Sequence, residues 1–309
     1  MALYKNLNLR EGDRSRRESP SMLKPLLETM RPKQWAKNLF IFAGLIFGEK
    51  LLYPSLLAKN IMAFMLFCLI SSTIYLVNDL ADMEKDRQHP TKRRRPLPSG
   101  RLQPRVAIIA AGLCPVISIP LAFLLDLQFG LVVLAYLATM IAYSLLLKNL
   151  VIVDVLVVSA GYVLRVAAGA MVTSVPISPW LYVCTTLLAL FISFSRRRHE
   201  LLILEGTADE HRATLNEYTP HLLDEMIAVV TSTTVIAYSL YTFSAPNLPP
   251  NHSMMLTIPF VLYGIFRYLY LIHVRNEGGT PEELVFKDKP LLLDIALWGL
   301  TALFVLYIQ

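Results

Sequence analysis

Long apolar runs alternate with short polar segments along almost the whole chain. Each apolar run is about 20 residues long, the length at which an α-helix crosses the hydrocarbon core of a bilayer. The pattern predicts an all-α membrane protein, a nine-helix transmembrane bundle that forms one domain over 25–309 after a flexible cytosolic tail over 1–24. The predicted spans are 39–57, 60–82, 105–125, 128–147, 150–172, 179–196, 226–244, 254–273 and 290–308.

The composition supports a membrane protein and argues against two other kinds of site. Hydrophobic residues make up 55% of the chain and charged residues 17%, against about 25% charged in a typical soluble protein. The net charge of +6 could suit nucleic acid, but the cations lie in short loops between apolar runs, so we expect no nucleic-acid partner. Cys68, Cys114 and Cys184 all fall inside apolar runs, which argues against a disulfide framework and a zinc site.

Lysine and arginine are concentrated in alternate loops, and this asymmetry predicts how the chain crosses the membrane. The N-terminal tail and the segments 83–104, 196–224 and 274–290 hold most of them. By the positive-inside rule, these segments face the cytosol. We therefore expect a multi-pass protein of the cytoplasmic (inner) membrane, with a cytosolic N-terminus and active site. After an odd number of spans its C-terminus faces outward.

The most informative polar segment follows the second predicted span and begins with four oxygen-bearing side chains. On a helix, the side chains of Asn78, Asp79, Asp82 and Asp86 lie within roughly 100° of one another, and Tyr75 points the same way. Carboxylate and amide oxygens suit Mg²⁺, which keeps several waters and shares its ligand shell with substrate phosphates. The segment therefore predicts a magnesium site where the helix leaves the membrane.

A basic run follows the acidic residues directly, at Lys92, Arg93, Arg94 and Arg95. Lysine and arginine beside a magnesium site are suited to the phosphate oxygens of a substrate. The alternative is that these acidic and basic residues only form a solvated loop that orients the protein in the membrane. The one-sided spacing of the acidic residues favours a site for a magnesium-bound phosphate.

Further polar residues lie near the ends of other predicted spans. Tyr143 and Lys148 precede the fifth span, Asp154 lies just inside it, and Arg165 follows on the same helical face. Roughly 16 Å of helix would separate Asp154 from Arg165, so each needs its own partner. A charged side chain in the membrane costs about 2.5–3.5 kcal/mol. Both residues should therefore face the bundle interior, either in structural ion pairs or beside a wet cavity.

Three consecutive arginines over 196–198 end the sixth predicted span, and His199 and Glu200 follow them. Such a run is often only a stop signal at the cytosolic side of a membrane helix. Arg197 and Glu200 are one helical turn apart and could pair. His199 is more consistent with a surface position than with a general base, and Asp294 in the last span has no assigned role.

Together these segments resemble the UbiA superfamily of intramembrane prenyltransferases. The resemblance covers nearly the whole chain from Arg31 and rests first on the pattern NDxxDxxxD over 78–86. Other segments are similar to one branch of that superfamily, the decaprenyl-phosphate phosphoribosyltransferases. They are RPKQWAKN at 31–38, HPTKRRRP at 89–96, YSLLLK at 143–148, GYVLRVAAG at 161–169 and SRRRHE at 195–200.

This resemblance implies an enzyme that transfers 5-phosphoribose from 5-phosphoribosyl diphosphate (PRPP) to a polyprenyl phosphate such as decaprenyl phosphate. It also implies release of diphosphate, Mg²⁺ as the cofactor and a product that feeds the synthesis of a cell-wall arabinose donor. The implied metal ligands are Asn78, Asp82 and Asp86, and the implied catalytic residues are Asp79, Asp82 and Asp86. The implied substrate-binding residues are Lys33, Lys37, Tyr75, Asn78, Lys92, Arg94, Arg95, Tyr143, Lys148, Asp154, Arg165 and Arg197.

One departure from the superfamily bears on this expectation. General UbiA members carry a second acidic motif, DxxxD, whereas this chain has the lone Asp154 near the matching place, with Lys148 before it. A cation in place of an acidic motif fits a substrate that bears an additional phosphate.

Two other functions remain open. One is a UbiA-type prenyltransferase that joins a polyprenyl diphosphate to an aromatic acceptor such as 4-hydroxybenzoate. The other is a transporter without enzymatic activity, which would need polar residues near the bilayer midplane on several spans.

Overall fold

The computed structural model describes residues 22–89, 92–176, 178–203, 217–245, 248–277, 279 and 281–308. Within these ranges the α-helices are α1 Leu23–Met30, α2 Ala43–Phe47, α3 Pro54–Ala81, α4 Met83–Gln88, α5 Pro104–Leu125, α6 Leu127–Leu145, α7 Val153–Thr173, α8 Pro179–Ile203, α9 Pro220–Ser244, α10 Ile258–His273, α11 Pro281–Lys287 and α12 Lys289–Tyr307. Short 3₁₀ helices cover Pro32–Phe42, Lys92–Arg94, Leu147–Asn149 and Ser253–Thr257. This all-helical architecture confirms the predicted fold class.

Eight helical segments in the described ranges are long and apolar enough to cross a membrane. They are α3, α5, α6, α7, α8, α9, the continuous segment Ser253–His273 and α12, which correspond to the predicted spans after the first. Proline in the first turn begins α3, α5 and α9, where its missing N–H and fixed φ favour a helix start. Side-chain oxygens of Asp126, Thr219 and Asp288 accept backbone N–H groups at the starts of α6, α9 and α12. The chain is therefore a multi-pass membrane protein.

The first predicted span takes a different form from a single long helix. The 3₁₀ helix Pro32–Phe42 runs into the short α2, and the chain then turns before α3 begins at Pro54. Glu49 has a positive φ of 57° in this turn, and Tyr53 is extended because a proline follows it. A helix cannot continue through these residues. Pro54 suits the first turn of a new helix, so α3 begins there and includes residues that the prediction placed at the end of the first span.

Close contact with α7 and α3 fixes this broken segment. A Cβ on Gly169 of α7 would lie 1.7 Å from the Ile41 carbonyl oxygen, so glycine is required for the two backbones to approach this closely. Asn60 of α3 donates from Nδ2 to the same carbonyl oxygen at 3.4 Å. The backbone of the irregular helix thereby receives a polar partner inside the protein, as the membrane interior requires.

Antiparallel packing of consecutive long helices brings the polar segments to one end of the bundle. α3 packs against α5 and α7, while α6, α7, α8 and α9 pack in sequence order. Phe67 and Phe129 lie in one buried apolar cluster, and Phe191 and Leu223 lie in another. These clusters fill the bundle and leave charged groups at its end, where α3, α6 and α8 finish and α7 and α9 begin.

Candidate active site

The four oxygen-bearing residues of the predicted motif lie where α3 gives way to α4. Asn78 and Asp79 occupy the last turn of α3, Asp82 links the two helices, and Asp86 lies on α4. Asp79 and Asp86 are buried, whereas Asn78 and Asp82 are half-buried. The motif is therefore divided into two enclosed carboxylates and two groups that solvent reaches.

Two arginines hold the enclosed carboxylates. Arg95 donates from Nη1 to Asp86 Oδ2 at 2.7 Å, and the same nitrogen lies 3.4 Å from Asp79 Oδ1. Arg31 donates from Nη2 to Asp79 Oδ1 at 2.6 Å. These charge-assisted contacts compensate for the burial of the two carboxylates, which would be costly without a cation.

Arg31 is a site residue that sequence reasoning missed. It follows α1 in the left-handed conformation, with φ at 55°, and its guanidinium lies 5.0 Å from the centre of the Tyr75 ring. The left-handed backbone turns the chain between α1 and the 3₁₀ helix that begins at Pro32. The signal that could have identified Arg31 is a cation placed between an amphipathic helix and a proline.

An ion pair between Glu28 and Arg101 holds α1 against the basic loop, the segment 92–103 between α4 and α5. Arg101 donates from its two terminal nitrogens to the Glu28 carboxylate at 2.8 and 2.9 Å, and from Nη2 to the Arg94 carbonyl oxygen at 2.7 Å. Hydrogen bonding to Arg101 lowers the pKa of the Glu28 carboxyl below its ordinary value. Leu97 and Leu102 are buried. The basic loop is therefore held against the bundle by both apolar and ionic contacts.

Lys148 brings the turn between α6 and α7 to the motif. Its Nζ lies 3.5 Å from Asp82 Oδ1, and the two side chains are 25% and 28% exposed. The Asn78 side chain forms no hydrogen bond with the residues that the structure describes. The accessible part of the motif thus presents an amide, a carboxylate and an ammonium group together.

Arg197 and Asp154 form a separate cluster at the same end of the bundle. Arg197 donates from Nε to Asp154 Oδ2 at 2.7 Å, and from Nη1 to Glu200. It also donates from Nη2 to the Tyr143 hydroxyl at 3.2 Å. The Tyr218 hydroxyl donates to Asp154 Oδ1 at 2.9 Å. The predicted pairing of Arg197 with Glu200 is confirmed.

Burial closes the pair of Asp154 and Arg197 to direct contact with a substrate. Asp154 has no exposed surface, and each of its oxygens already accepts a hydrogen bond. Burial raises the pKa of the Tyr218 phenol to about 12, so Tyr218 remains a donor at neutral pH. The expected contact between Asp154 and a substrate would require these bonds to break. In the structure Asp154 instead fixes the position of Arg197.

Arg165 also lies apart from the motif, in contrast to its expected role at a substrate phosphate. It donates from Nε to Asn38 Oδ1 at 2.8 Å, from Nη1 to the Gly161 carbonyl oxygen at 2.8 Å and from Nη2 to the Tyr136 hydroxyl at 2.6 Å. Its side chain is buried, and no carboxylate in the described part of the chain pairs with it. Arg165 therefore fastens the 3₁₀ helix to α7, and the prediction that it and Asp154 have separate partners is confirmed.

The remaining predicted cations lie on the two segments that flank the motif. Lys33 and Lys37 belong to the 3₁₀ helix after Arg31, and Lys92 and Arg94 belong to the short turn before Arg95. Lys33 and Arg94 are exposed, whereas Lys37 and Lys92 are half-buried. All four reach solvent and can meet an anionic ligand.

The accessible donors fit a magnesium ion that brings part of its own ligand shell. Mg²⁺ is usually held by one or two protein carboxylates together with waters and substrate phosphates, and Asn78 and Asp82 offer such oxygens. Asp86, the third predicted ligand, is engaged by Arg95. Across the described residues, no three acidic, histidine or cysteine side chains converge to hold a metal by themselves. The geometry thus supports two protein ligands completed by phosphate oxygens.

Several known proteins are similar to this chain in sequence. Residues 38–286 match the UbiA prenyltransferase family. Decaprenyl-phosphate phosphoribosyltransferase of Mycolicibacterium smegmatis is 32% identical over 293 residues, covering 90% of this chain and 91% of that protein. The protein of the same name from Corynebacterium glutamicum is 30% identical over 307 residues, covering 97% of this chain and 92% of that protein.

Solved structures of low sequence identity have the same helical bundle. A UbiA homolog from Archaeoglobus fulgidus bound to GPP and Mg²⁺ matches with a TM-score of 0.70 at 18% identity, covering 91% of this chain and 99% of that one. A structure of digeranylgeranylglyceryl phosphate synthase matches with a TM-score of 0.65 at 15% identity, covering 93% of this chain and 99% of that one. The family match extends over most of the chain and the fold agrees with it, so the chain belongs to the UbiA prenyltransferase family.

Proposed function

We propose that this protein transfers 5-phosphoribose from PRPP to a polyprenyl phosphate, with release of diphosphate, at the cytosolic face of the cytoplasmic membrane. Relatives named for that activity, 30–32% identical along most of the chain, support the proposal. The observation that carries it is the set of lysine and arginine side chains around the motif. Lys148 lies against Asp82, and Arg31 and Arg95 lie against the enclosed carboxylates. PRPP and a lipid phosphate together bring three anionic groups, namely a diphosphate, a 5-phosphate and the lipid phosphate. Several cations at one site can bind these groups.

The half-buried pair Asn78 and Asp82 would hold Mg²⁺ together with the diphosphate of PRPP. When bound, this ion neutralises the negative charge that grows on the leaving diphosphate. Lys148 lies close enough to Asp82 to donate to the same diphosphate, and Arg95, which lies against Asp79 and Asp86 of the same motif, is the second candidate donor. Asp79 would act through the arginines, because it holds Arg31 and Arg95 at the motif.

The proposed reaction exchanges one bond at C1 of the ribose for another. An oxygen of the lipid phosphate forms a bond to C1, while the bond from C1 to the diphosphate breaks and the diphosphate leaves with the bonding electrons. The ring passes through an oxocarbenium-like state, as in other glycosyl transfers. The lipid phosphate is already an anion at neutral pH, so no side chain has to remove a proton. Lys33, Lys37, Lys92 and Arg94 are the candidate donors for the 5-phosphate and the lipid phosphate.

The far end of the bundle offers an apolar groove for part of the polyprenyl tail. Leu51 and Leu52, in the turn before α3, face Leu300 and Phe304 of α12 across a groove of about 620 Å³. Because its lining is almost wholly apolar, an isoprenoid chain can lie there without burying an unpaired polar group.

A second candidate function is prenyl transfer from a prenyl diphosphate to an aromatic acceptor. A structural relative with the same fold was solved with GPP and Mg²⁺, and GPP is a prenyl diphosphate, the class of donor that this candidate requires. Both functions would use Asn78 and Asp82 in the same way, so the metal ligands do not separate them. They differ in the acceptor, which is a flat aromatic ring in one reaction and a phosphate anion in the other.

Purified full-length protein tests the two functions side by side. With PRPP labelled in the ribose, Mg²⁺ and a polyprenyl phosphate, we expect label to enter the organic-extractable lipid, and chelation of Mg²⁺ to stop the transfer. Label that stays in water, together with prenylation of 4-hydroxybenzoate from a polyprenyl diphosphate, would overturn the first function in favour of the second. A protein with neither activity would contradict both and leave transport as the function to examine.

A further inference from the structure

The charges of the motif are balanced before any substrate binds. Three carboxylates are matched by three cations, in the pairs Asp79 with Arg31, Asp82 with Lys148 and Asp86 with Arg95. A divalent ion that entered alone would place two more positive charges beside these cations, which is unfavourable at short range. A divalent ion already bound to a diphosphate has a net negative charge and meets no such opposition.

Arg95 occupies a place between two carboxylates that suits a bridging cation. Its Nη1 lies 2.7 Å from Asp86 Oδ2 and 3.4 Å from Asp79 Oδ1. The Arg95 side chain is 32% exposed, whereas those of Asp79 and Asp86 are 2% and 5% exposed. The Arg95 guanidinium thus extends from the surface to two buried carboxylates. Because part of the Arg95 side chain is in contact with solvent, the side chain can rotate outward.

The backbone around Arg95 is anchored, so a movement of its side chain does not require the loop to unfold. The Arg95 N–H donates to the Lys92 carbonyl oxygen at 2.9 Å, and the Leu102 N–H donates to the Pro96 carbonyl oxygen at 2.9 Å. Leu97 is buried two residues further on. A rotation about the side-chain bonds of Arg95 is therefore the smallest change that frees Asp86.

We propose that Arg95 is the resting counter-ion of Asp86 and moves from that carboxylate to the diphosphate when the metal–diphosphate complex binds. The diphosphate offers the guanidinium a partner with paired oxygens, and the released Asp86 can then complete the ligand shell of the ion. The metal and the diphosphate consequently bind together, and the metal alone binds weakly. The inference rests on the proposed function only in that the substrate has a diphosphate, which both candidate reactions share.

Binding of Mn²⁺ alone to the purified full-length chain tests this exchange. Arg95→Gln should raise the affinity for Mn²⁺ about tenfold or more, the equivalent of one charge-assisted hydrogen bond. The matched control is Arg93→Gln, which removes the same charge from an exposed side chain of the same loop and should leave the affinity nearly unchanged. In an Asp86→Asn background the gain from Arg95→Gln should disappear. Equal Mn²⁺ affinity in Arg95→Gln and wild-type protein would overturn the proposal.

A second measurement does not depend on the folding of an Arg95 variant. Inorganic diphosphate without metal should bind Asp86→Asn about tenfold more tightly than it binds the wild-type protein, because Arg95 no longer has to leave a carboxylate. Glu84→Gln is the control, since it removes an acidic charge from an exposed position on the same helix. Unchanged diphosphate affinity in Asp86→Asn would contradict the exchange.

These binding measurements are independent of the proposed reaction because neither of them uses PRPP or an acceptor. Failure of the wild-type protein to transfer phosphoribose would overturn the proposed function and leave both binding results standing. Failure of the Mn²⁺ and diphosphate measurements would overturn the exchange and leave the transfer intact.

Discussion

Two clusters of carboxylates and arginines lie at the same end of the bundle, and they differ in how far their cations reach solvent. In the motif cluster, Arg95 is 32% exposed and Asp82 is 28% exposed. In the second cluster, the side chain of Arg197 is 6% exposed and that of Asp154 is fully buried. The two clusters contain similar residue types, so residue type alone does not separate a binding site from a structural ion pair.

The difference in exposure has an energetic consequence. A buried charge that loses its partner stays in a medium of low polarity, so Arg197 and Asp154 cannot exchange partners cheaply. The partly exposed cations of the motif can leave their carboxylate partners for a ligand at lower cost, because water and the ligand then solvate their charge. We therefore propose that the motif binds the ligand and that the second cluster supports the structure, and the following variants test that proposal.

The largest effect on stability is expected from Arg197→Met. Asp154 would remain buried after losing its cation, so the free energy of unfolding should fall by about 3–5 kcal/mol. Thermal unfolding of the purified protein in detergent measures this loss. Adding Asp154→Asn should recover part of the stability, because the uncompensated charge is removed. Wild-type stability in Arg197→Met would show that the second cluster is not structural.

Asp82→Ala should remove most of the activity while leaving the fold intact. Loss of one group that stabilises the leaving charge typically lowers the turnover rate about 10²- to 10³-fold. Asp82 is half-buried, and within the described ranges its one ion pair is with Lys148 at 3.5 Å, so thermal unfolding should change little. Turnover of Asp82→Ala at the wild-type rate would rule out the metal assignment.

Lys148→Gln should weaken substrate binding more than it changes the fold. Removal of one charged donor should raise the KM for PRPP about tenfold, as expected for a charge-assisted hydrogen bond. The control is Lys85→Gln, which removes the same charge from an exposed position on α4. Steady-state kinetics of wild type and both variants tests the prediction. A KM for PRPP in Lys148→Gln equal to that of wild type and of Lys85→Gln would place Lys148 outside the substrate site.

The smallest effect concerns the pH dependence of the exposed pair Glu28 and Arg101. Because Arg101 lowers the pKa of Glu28, the pair stabilises the protein above the ordinary value of 4.5 and loses this effect as the pH falls through the lowered folded-state pKa. An exposed pair is worth about 0–1 kcal/mol and is screened by salt. Thermal unfolding of wild type and Glu28→Gln should differ slightly at neutral pH and converge in acid. A difference that persists in acid would contradict this origin.

Local sequence patterns were sufficient to predict the eight long helices of the described residues, though not the form of the first predicted span. The lengths of the apolar runs gave the long helices, because they depend only on neighbours in the chain. The spacing of Asn78, Asp79, Asp82 and Asp86 predicted one shared helical face, but the helix is interrupted at Asp82 and the four residues divide into a buried pair and a half-buried pair. The pairing of Arg197 with Glu200 was also predictable, since the two residues are one turn apart.

Features that depend on distant partners could not be read from the sequence. The packing of the first predicted span against α7 depends on the close approach of Ile41 to Gly169. The enclosure of Asp154 depends on Arg197 and Tyr218, which come from other segments. Likewise, the local signal at Arg31 does not identify Asp79 as its partner. In each case the deciding contact joins residues that are far apart in the chain.

The most direct test of the central claim is the position of a divalent ion in crystals grown with Mn²⁺ and PRPP. Anomalous diffraction should show an Mn²⁺ peak within about 2.5 Å of the side-chain oxygens of Asn78 and Asp82, in contact with the diphosphate. A peak beside Asp154 and Glu200 instead, or PRPP bound with no ion near Asp82, would contradict the claim that the exposed motif is the metal–diphosphate site.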